Sequence, residues 1–194
     1  MSKVDGDGEP MGRTREIVTA ALLASLLSAS AWVSVPLQPV PVTFQTFVVI
    51  LTALLLPPAW AGASVGTYLL LGAIGVPVFS GPAGGLAPLL GPTGGYLAGF
   101  LVAAVLGSAV RTGVSRVTAR AGLADAAAAI VAISTVYALG WARLVSVTGL
   151  TAGAAFAVGV APFVALDAVK AVVAVGAAAA LRRSGAVPGS PRGV

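Results

Sequence analysis

The sequence contains no cysteine and no histidine. Their absence excludes disulfide bonds, thiolate chemistry, haem ligation and the commonest zinc sites, all of which depend on these two side chains. Charge is also scarce, because only 9% of the 194 residues are charged and only six of them are acidic. Soluble domains are about one-quarter charged. With 58% hydrophobic residues and a mean hydropathy of +1.01, the chain is predicted to be an integral membrane protein.

The sequence lacks residues that the common catalytic and phosphate-binding motifs require. An intramembrane serine protease would lack its histidine base, and a metalloprotease would lack its ligands. The segment GPAGGLAPLLGPTGGY, residues 81–96, has no lysine after either half, so it does not match a phosphate-binding P-loop. The net charge of +5 is scattered around apolar runs, which fits orientation in a lipid bilayer better than nucleic-acid binding. We therefore predict no enzymatic activity, catalytic residue, metal, cofactor or nucleic-acid partner.

Apolar segments bounded by proline, glycine or arginine predict an all-α membrane protein with six transmembrane helices in one compact bundle. A chain of 194 residues has room for about six spans of ~20 residues. The last apolar stretch, 151–183, is too long for one span, so Pro162 is predicted to divide it into a short segment, 151–159, and a final helix. The predicted spans are 17–35, 43–56, 59–74, 96–110, 126–147 and 162–181.

The arginines predict the orientation of the bundle, because cytoplasmic connections of membrane proteins collect Lys and Arg. With six spans, the connections on one side, 36–43, 75–95 and 148–161, contain no Lys or Arg. The segments on the other side contain Arg13, Arg15, Arg111, Arg116, Arg120, Arg182 and Arg183. Both termini are therefore predicted to be cytoplasmic, in a multi-pass protein of the plasma membrane.

The predicted organisation has a disordered cytoplasmic tail at 1–14, a six-helix transmembrane domain at 15–183 and a cytoplasmic tail at 184–194. A cleavable secretory signal ending near Ala31 is an alternative for the first segment. The apolar run continues past that point through Val35. It is then long enough to span a membrane, which favours a first transmembrane helix.

Three charged residues fall inside predicted spans: Arg143, Asp167 and Lys170. A charge at membrane depth costs about 2.5–3.5 kcal/mol on insertion scales, so it usually faces a cavity or a partner. Asp167 and Lys170 are three residues apart, which places both on one helix face, about 8 to 12 Å inside the outer end. They either neutralise each other for insertion or line a polar pocket for a small ligand. Arg143, near the end of its span, is interpreted as structural.

Neutral polar residues lie at the start of the second predicted span, close to the depth of this pair. Thr43 could be explained by solvation of the loop, whereas Gln45 and Thr46 begin the apolar run. A polar side chain there more often packs against another helix or reaches a cavity. We therefore include Thr43 and Gln45 among the candidate ligand-binding residues.

The first predicted helix has small residues at four-residue spacing, an arrangement that allows close helix packing. The two rows are Ala20, Ala24, Ser28 and Trp32, and beside them Ala21, Ser25 and Ala29. Packing within the bundle and contact with another subunit both explain such rows. The sequence alone does not separate these two interpretations.

Several segments together resemble one known family. They are VPVTFQTFVVILTALLLPP, LLLGAIGVPVF, GGLAPLLGPTGGYLAGF, YALGWARLVSVTGL and GVAPFVALDAVKAVVA, in this order. They are similar to the BioY family, the biotin-binding S-component of energy-coupling factor (ECF) transporters. The similarity covers roughly residues 15–183, and the GPTGGY block with the later D-x-x-K is its most specific part.

This resemblance implies a six-helix S-component fold that binds biotin near the external face. It implies partners as well: a transmembrane coupling protein and two ATP-binding subunits, which alone use ATP. Asp167 and Lys170 would contact the ligand, together with Tyr96 and the region of Gly84 and Gly85. The small residues that would face the coupling protein are Ala20, Ala21, Ala24, Ser25 and Ser28. An S-component for another water-soluble vitamin and a non-transporting membrane scaffold are the alternatives.

The motif G-P-x-G-G occurs twice between the third and fourth predicted spans, at 81–85 and at 91–95. Residues 76–95 are far more than a hairpin needs, and glycine and proline shape backbone close to ligands. Non-helical backbone at a membrane surface is tolerated where it lines a cavity. We interpret the segment as a lid whose first copy moves while its second copy, ending at Tyr96, is an anchor.

Overall fold

The computed structural model describes residues 10–37 and 39–187. In these residues eight helices and a two-stranded antiparallel ribbon follow one another along the chain. The elements are α1 (Pro10–Ser30), β1 (Ser34–Val35), β2 (Val42–Thr43), α2 (Gln45–Leu55), α3 (Pro58–Ala73), α4 (Ala87–Leu90), α5 (Gly94–Val117), α6 (Ala121–Thr148), α7 (Ala152–Gly159) and α8 (Ala161–Arg183).

Proline and glycine explain most of the boundaries. Helix α3 begins at Pro58, where the missing N–H and the restricted φ of proline suit the first helical turn. Helix α6 ends at Thr148 and is capped by Gly149, whose φ of 69° is left-handed and suits glycine. Pro162 lies in the first turn of α8, directly after α7. The predicted division of the last apolar stretch at Pro162 is therefore confirmed.

Several boundaries differ from the prediction. Helix α1 begins at Pro10, so residues 10–14, assigned to the tail, are helical. Helices α5 and α6 extend to residue 117 and from residue 121, beyond the predicted spans. A helix can continue beyond its apolar segment into polar residues, and hydropathy marks only the apolar segment. Residues 1–9 and 188–194 of the predicted tails lie outside the described residues. Helix α4 and the ribbon were not predicted.

Helix α2 is the centre of the bundle. Every residue from Val48 to Leu55 is buried, and α1, α3, α5, α6 and α8 all pack against this helix. Helices α5 and α6 approach each other closely because small residues line their contact. A Cβ atom on Gly99 would lie 3.1 Å from the Cα of Val136, and one on Gly95 would overlap the carbonyl of Leu139.

Three helices in the described part of the chain are long and apolar enough to cross a membrane: α5, α6 and α8. Helix α2 is apolar but has only 11 residues, and α3 has 16. The large exposed side chains in the middle of α8, such as Val172 and Val173, are apolar, as lipid-facing residues are. A helical membrane protein, the class predicted from composition, is confirmed.

A buried ionic cluster ties the helices together at one end of the bundle. Asp125 on α6 is 1% exposed, and its Oδ1 lies 2.8 Å from Nε of Arg111 on α5. Its other oxygen accepts a hydrogen bond from Arg182 on α8. Arg182 also donates to the carbonyl oxygen of Leu54 near the end of α2, at 3.2 Å. The predicted fifth span begins at residue 126, so the sequence analysis did not identify Asp125 as a buried residue.

Candidate functional site

A cavity lies at the opposite end of the bundle from the ionic cluster. Its volume is about 310 Å³, at the lower end of the ~300–1,000 Å³ of small-molecule pockets. The N-terminal parts of α2, α5 and α8, the middle of α6 and the loop around α4 form its wall. The lining residues are Val40, Pro41, Thr43, Gln45, Thr46, Phe79, Ser80, Ala87, Pro88, Gly91, Pro92, Thr93, Tyr96, Leu97, Phe100, Val136, Tyr137, Phe163, Asp167 and Lys170.

Asp167 and Lys170 form a hydrogen-bonded ion pair in this wall. The Nζ of Lys170 lies 2.7 Å from Oδ1 of Asp167, and it also donates to the carbonyl oxygen of Thr43 at 2.8 Å. The hydroxyl of Tyr137 donates to Oδ2 of Asp167 at 2.7 Å. Asp167 is 3% exposed, so its charge is neutralised and hydrogen-bonded rather than solvated, as burial requires. The cluster joins β2, α6 and α8.

Gln45 supplies a second polar group in the wall. It is buried at the first turn of α2, and its side-chain amide donates to the hydroxyl of Tyr68 on α3. Tyr68 lies behind the wall and packs edge-on against Phe79, with ring centroids 5.5 Å apart. A buried chain of contacts therefore connects the polar start of α2 to the loop that covers the cavity.

Tyr96 contributes mainly its ring to the cavity. Its hydroxyl donates to the carbonyl oxygen of Gly159 at 2.7 Å, so this group is already satisfied within the protein. A Cβ atom on Gly140 would overlap the Tyr96 ring, and one on Gly159 would lie 2.5 Å from the Tyr96 hydroxyl. Glycine at both positions makes room for the ring between α6 and α7.

The two copies of G-P-x-G-G differ in where they lie. Gly91, Pro92 and Thr93 of the second copy line the cavity, and its last two glycines begin α5. The hydroxyl of Thr93 donates to the carbonyl of Pro88 at 2.9 Å, which closes the turn after α4. The second copy is thus continuous with a helix, as an anchor would be. Movement of the first copy stays a prediction.

The first copy packs against the end of α3 instead of lining the cavity. A Cβ atom on Gly84 would lie 2.7 Å from the carbonyl oxygens of Gly75 and Val76. Gly85 has a φ of 83°, and its N–H donates to the carbonyl of Gly72 at 2.7 Å. Both glycines are explained by this close backbone packing. The expectation that they contact a ligand is not supported by their position, because neither lies in the cavity wall.

The other predicted site residues are brought together. Asp167, Lys170, Tyr96, Thr43 and Gln45 all line the one cavity, although they come from four separate elements. Tyr137 was missed by the sequence analysis. A phenol in the middle of an apolar span needs a hydrogen-bond partner, and this requirement is the signal that could have identified it.

Arg143 lies outside the cavity wall. Its guanidinium donates to the carbonyl of Leu90 at the end of α4. This hydrogen bond fastens the loop to α6, which is a structural role of the kind that the sequence indicated.

The small residues of α1 separate into two sets. Ala20 and Ala24 are buried, and the carbonyl of Ala20 accepts a hydrogen bond from the hydroxyl of Ser64 on α3 at 2.8 Å. Packing within the bundle therefore explains both of these alanines. Ala21, Ser25 and Ser28 line a groove between α1 and α3 together with Ala24. The full lining of this groove is Ala21, Ala24, Ser25, Ser28, Thr67, Leu71 and Val78.

The fold and the cavity define a helical membrane protein with an internal polar cluster at a cavity of small-molecule size. The comparisons with known proteins narrow this class. The model of the BioY family matches residues 2–186, and the chain therefore belongs to the BioY family.

Named relatives agree with the family match. The chain is 39% identical over 163 residues to a protein of Pyrococcus horikoshii named "Probable biotin transporter BioY", covering 84% of this chain and 93% of the relative. It is 37% identical over 160 residues to the "Biotin transporter BioY" of Thermotoga maritima, covering 82% of this chain and 91% of the relative. Both relatives are named as transporters, in agreement with the prediction that the protein is not an enzyme.

A solved structure has the same fold. The S-component for biotin from an ECF-type ABC transporter superposes with a TM-score of 0.83, covering 90% of this chain and 94% of that chain. The two chains are 23% identical. At this identity the likeness concerns the fold, and it agrees with the predicted S-component bundle.

Proposed function

We propose that this protein takes up biotin, which binds in the cavity and then passes into the cell. The observation that carries the proposal is the Asp167–Lys170 pair at the cavity of a chain that belongs to the BioY family. An ion pair needed only for insertion would not have to face a cavity. This pair does, and its neighbours there are otherwise mostly apolar.

The chemistry of the wall matches biotin. The ligand has a ureido ring with two N–H donors and one carbonyl, a fused ring that is apolar, and a tail that ends in a carboxylate. Asp167 accepts hydrogen bonds and Lys170 donates them, while Phe100 and Phe163 offer apolar surface. Apolar walls with a few placed polar groups are typical of small-molecule sites. Thr43, Gln45 and Tyr96 complete the proposed contacts.

The bundle is proposed to cross the membrane six times, through α1, α2, α3, α5, α6 and α8, within residues 15–183. Helices α2 and α3 are short, but α2 is surrounded by other helices along most of its length, and backbone at membrane depth is tolerated where protein covers it. The arginines at the end of the ionic cluster support a cytoplasmic location for that end and for both termini. The cavity would then open to the outer side of the plasma membrane.

Transport is proposed to be driven by an ECF module, in which a transmembrane coupling protein and ATP-binding subunits are the partners. The groove between α1 and α3 supports contact with a helix of the coupling protein, because Ala21, Ser25 and Ser28 leave room for close approach. Ala24 lines the same groove, and the buried Ala20 would support this surface from behind.

Ligand-dependent thermal stability tests the proposed ligand. The full chain in detergent is heated with biotin, with thiamine, with riboflavin or without addition. A ligand at about 100 times its Kd stabilises the folded state by about 2.7 kcal/mol, so we expect biotin alone to raise the Tm. A rise with thiamine or riboflavin alone would indicate another vitamin. No rise with any of the three would favour a scaffold whose ion pair is structural.

A further inference from the structure

The ionic cluster at the end of the bundle opposite the cavity has an unbalanced charge. Asp125 contributes one carboxylate, which is shared by the guanidinium groups of Arg111 and Arg182. Two positive charges and one negative charge leave one positive charge in excess, on side chains that are mostly buried. A mostly buried cation without a counter-charge is costly, so an anion bound at this cluster would stabilise the protein.

Arg111 has hydrogen-bond donors left for such an anion. Its Nε donates to Asp125 at 2.8 Å, and its two terminal nitrogens have no hydrogen-bond partner within residues 10–37 and 39–187. Every buried side-chain nitrogen or oxygen in this part of the chain has a partner, so these terminal nitrogens reach the surface. Arg182 differs, because its terminal nitrogens donate to Asp125 and to the carbonyl of Leu54.

Ser115 offers a further donor on the same face of α5. It follows Arg111 by four residues, so the two side chains are neighbours on the helix surface. Ser115 is exposed, and its hydroxyl has no partner among the residues that the structure describes. A guanidinium fork next to a hydroxyl matches the oxygens of a phosphate group, which arginine binds in a bidentate manner.

The level of the cluster in the bundle favours the phosphate of a lipid. Arg111 directly follows the apolar residues of the predicted span 96–110, and Arg182 directly follows those of 162–181. Both arginines therefore lie where the hydrocarbon layer ends and the lipid headgroups begin. Basic sites between membrane helices at this level bind anionic headgroups. The exposed arginines at the same end of the bundle are Arg13, Arg116, Arg120 and Arg183.

We propose that Arg111 and Ser115 form a binding site for the phosphate of an anionic phospholipid. The headgroup neutralises the excess charge of the ionic cluster. The acyl chains lie along the exposed apolar side chains of α6, such as Leu123 and Ile130, which are seven residues apart on one helix face. This site is separate from the cavity and does not depend on the ligand that binds there.

Native mass spectrometry of the full chain in a neutral detergent tests the site, because it resolves each bound lipid. The probes are phosphatidylglycerol, which is anionic, phosphatidylcholine, whose own choline balances its phosphate, and glycerol 3-phosphate, which has no acyl chains. We expect phosphatidylglycerol to bind at least about tenfold more tightly than phosphatidylcholine, because it alone of the two lipids supplies the missing counter-charge. Glycerol 3-phosphate should not bind at the concentration that saturates the site with phosphatidylglycerol.

Two variants separate a built site from a general attraction to the basic end of the bundle. Arg111→Lys keeps a positive charge beside Asp125 but replaces the guanidinium fork by one ammonium group, so it should weaken phosphatidylglycerol binding at least about fivefold. Arg120→Gln is the matched control, because it removes the charge of an exposed arginine outside the ionic cluster. It should leave the binding within about twofold.

Ser115→Ala tests the site without touching the ion pairs, and it should weaken phosphatidylglycerol binding about threefold. Equal binding of the two lipids, or glycerol 3-phosphate binding as tight as that of phosphatidylglycerol, would overturn the lipid as the ligand. If Arg120→Gln weakens binding as much as Arg111→Lys, the attraction is general and the assigned site is wrong. The lipid comparison and Ser115→Ala decide the proposal even if Arg111→Lys does not fold.

Discussion

At the scale of single residues, Asp167 and Lys170 of α8 are the charged groups of the proposed site. Asp167 and Lys170 are i, i+3 neighbours, so the helix alone brings them together. Their remaining partners come from other elements, since Thr43 lies at the end of β2 and Tyr137 on α6. Both charged groups of the pair are therefore hydrogen-bonded within the protein while they line the cavity.

Removing either charge should weaken binding without preventing insertion. We expect Asp167→Asn and Lys170→Ala each to raise the Kd for biotin at least about tenfold. Asp167→Asn leaves the part-buried ammonium of Lys170 without its counter-charge, and Lys170→Ala does the same to the buried carboxylate of Asp167. Titration calorimetry of the purified variants measures this effect. Arg116→Ala, an exposed position at the other end of the bundle, is the control and should bind like the unmodified protein. Unchanged affinity in both pair variants would contradict the assigned site.

At the scale of helices, α2 and α8 connect the two ends of the bundle. Gln45 at the start of α2 lines the cavity, and the carbonyl of Leu54 near its end accepts a hydrogen bond from Arg182. Helix α8 similarly carries Asp167 in the cavity and Arg182 in the ionic cluster. The cluster thus ties α2, α5, α6 and α8 together at the end opposite the cavity.

Neutralising the centre of this cluster should destabilise the fold. Asp125→Asn leaves Arg111 and Arg182 without their carboxylate, and breaking a buried ion pair in this way costs about 3–5 kcal/mol. Because the arginine side chains are 26% and 17% exposed, we expect a loss near the lower bound of that range, measured by denaturation in detergent.

Arg183→Gln is the matched control for Asp125→Asn. Arg183 is exposed and neighbours Arg182 in sequence, so its loss should leave the stability nearly unchanged. The Kd for biotin should stay within about threefold in both variants, since the cavity is at the other end. Equal stability of Asp125→Asn and the unmodified protein would show that the cluster contributes nothing to the fold.

At the scale of the whole molecule, the orientation in the membrane decides whether the cavity faces outwards. The chain has no cysteine, so single cysteines report topology without background. Leu86→Cys lies in the loop beside the cavity and Val117→Cys at the other end, and both positions are exposed. Intact cells should be labelled by a membrane-impermeant maleimide at residue 86 only, and at residue 117 after permeabilisation. The reverse pattern would contradict cytoplasmic termini.

Much of the fold could be predicted because its signals are local. Hydropathy gave the membrane class, and the break at Pro162 followed from the restricted backbone of proline. Helix ends were less certain, since α1 and α5 continue into polar residues that the apolar pattern does not include. Helix α4 has only four residues, which is too short for a periodic pattern.

By itself the sequence determined the membrane class, the pairing of Asp167 with Lys170 and the resemblance to the BioY family, because each depends on composition, short spacing or motif order. The tertiary structure alone decided that Tyr137 and Thr43 complete the pair, that Gly84 and Gly85 pack against α3, and that Asp125 is buried. Tyr137 is 30 residues from Asp167 in the chain, and Thr43 is 127 residues from Lys170. Contacts over such separations depend on how the helices pack together, and no periodicity within one segment records that packing.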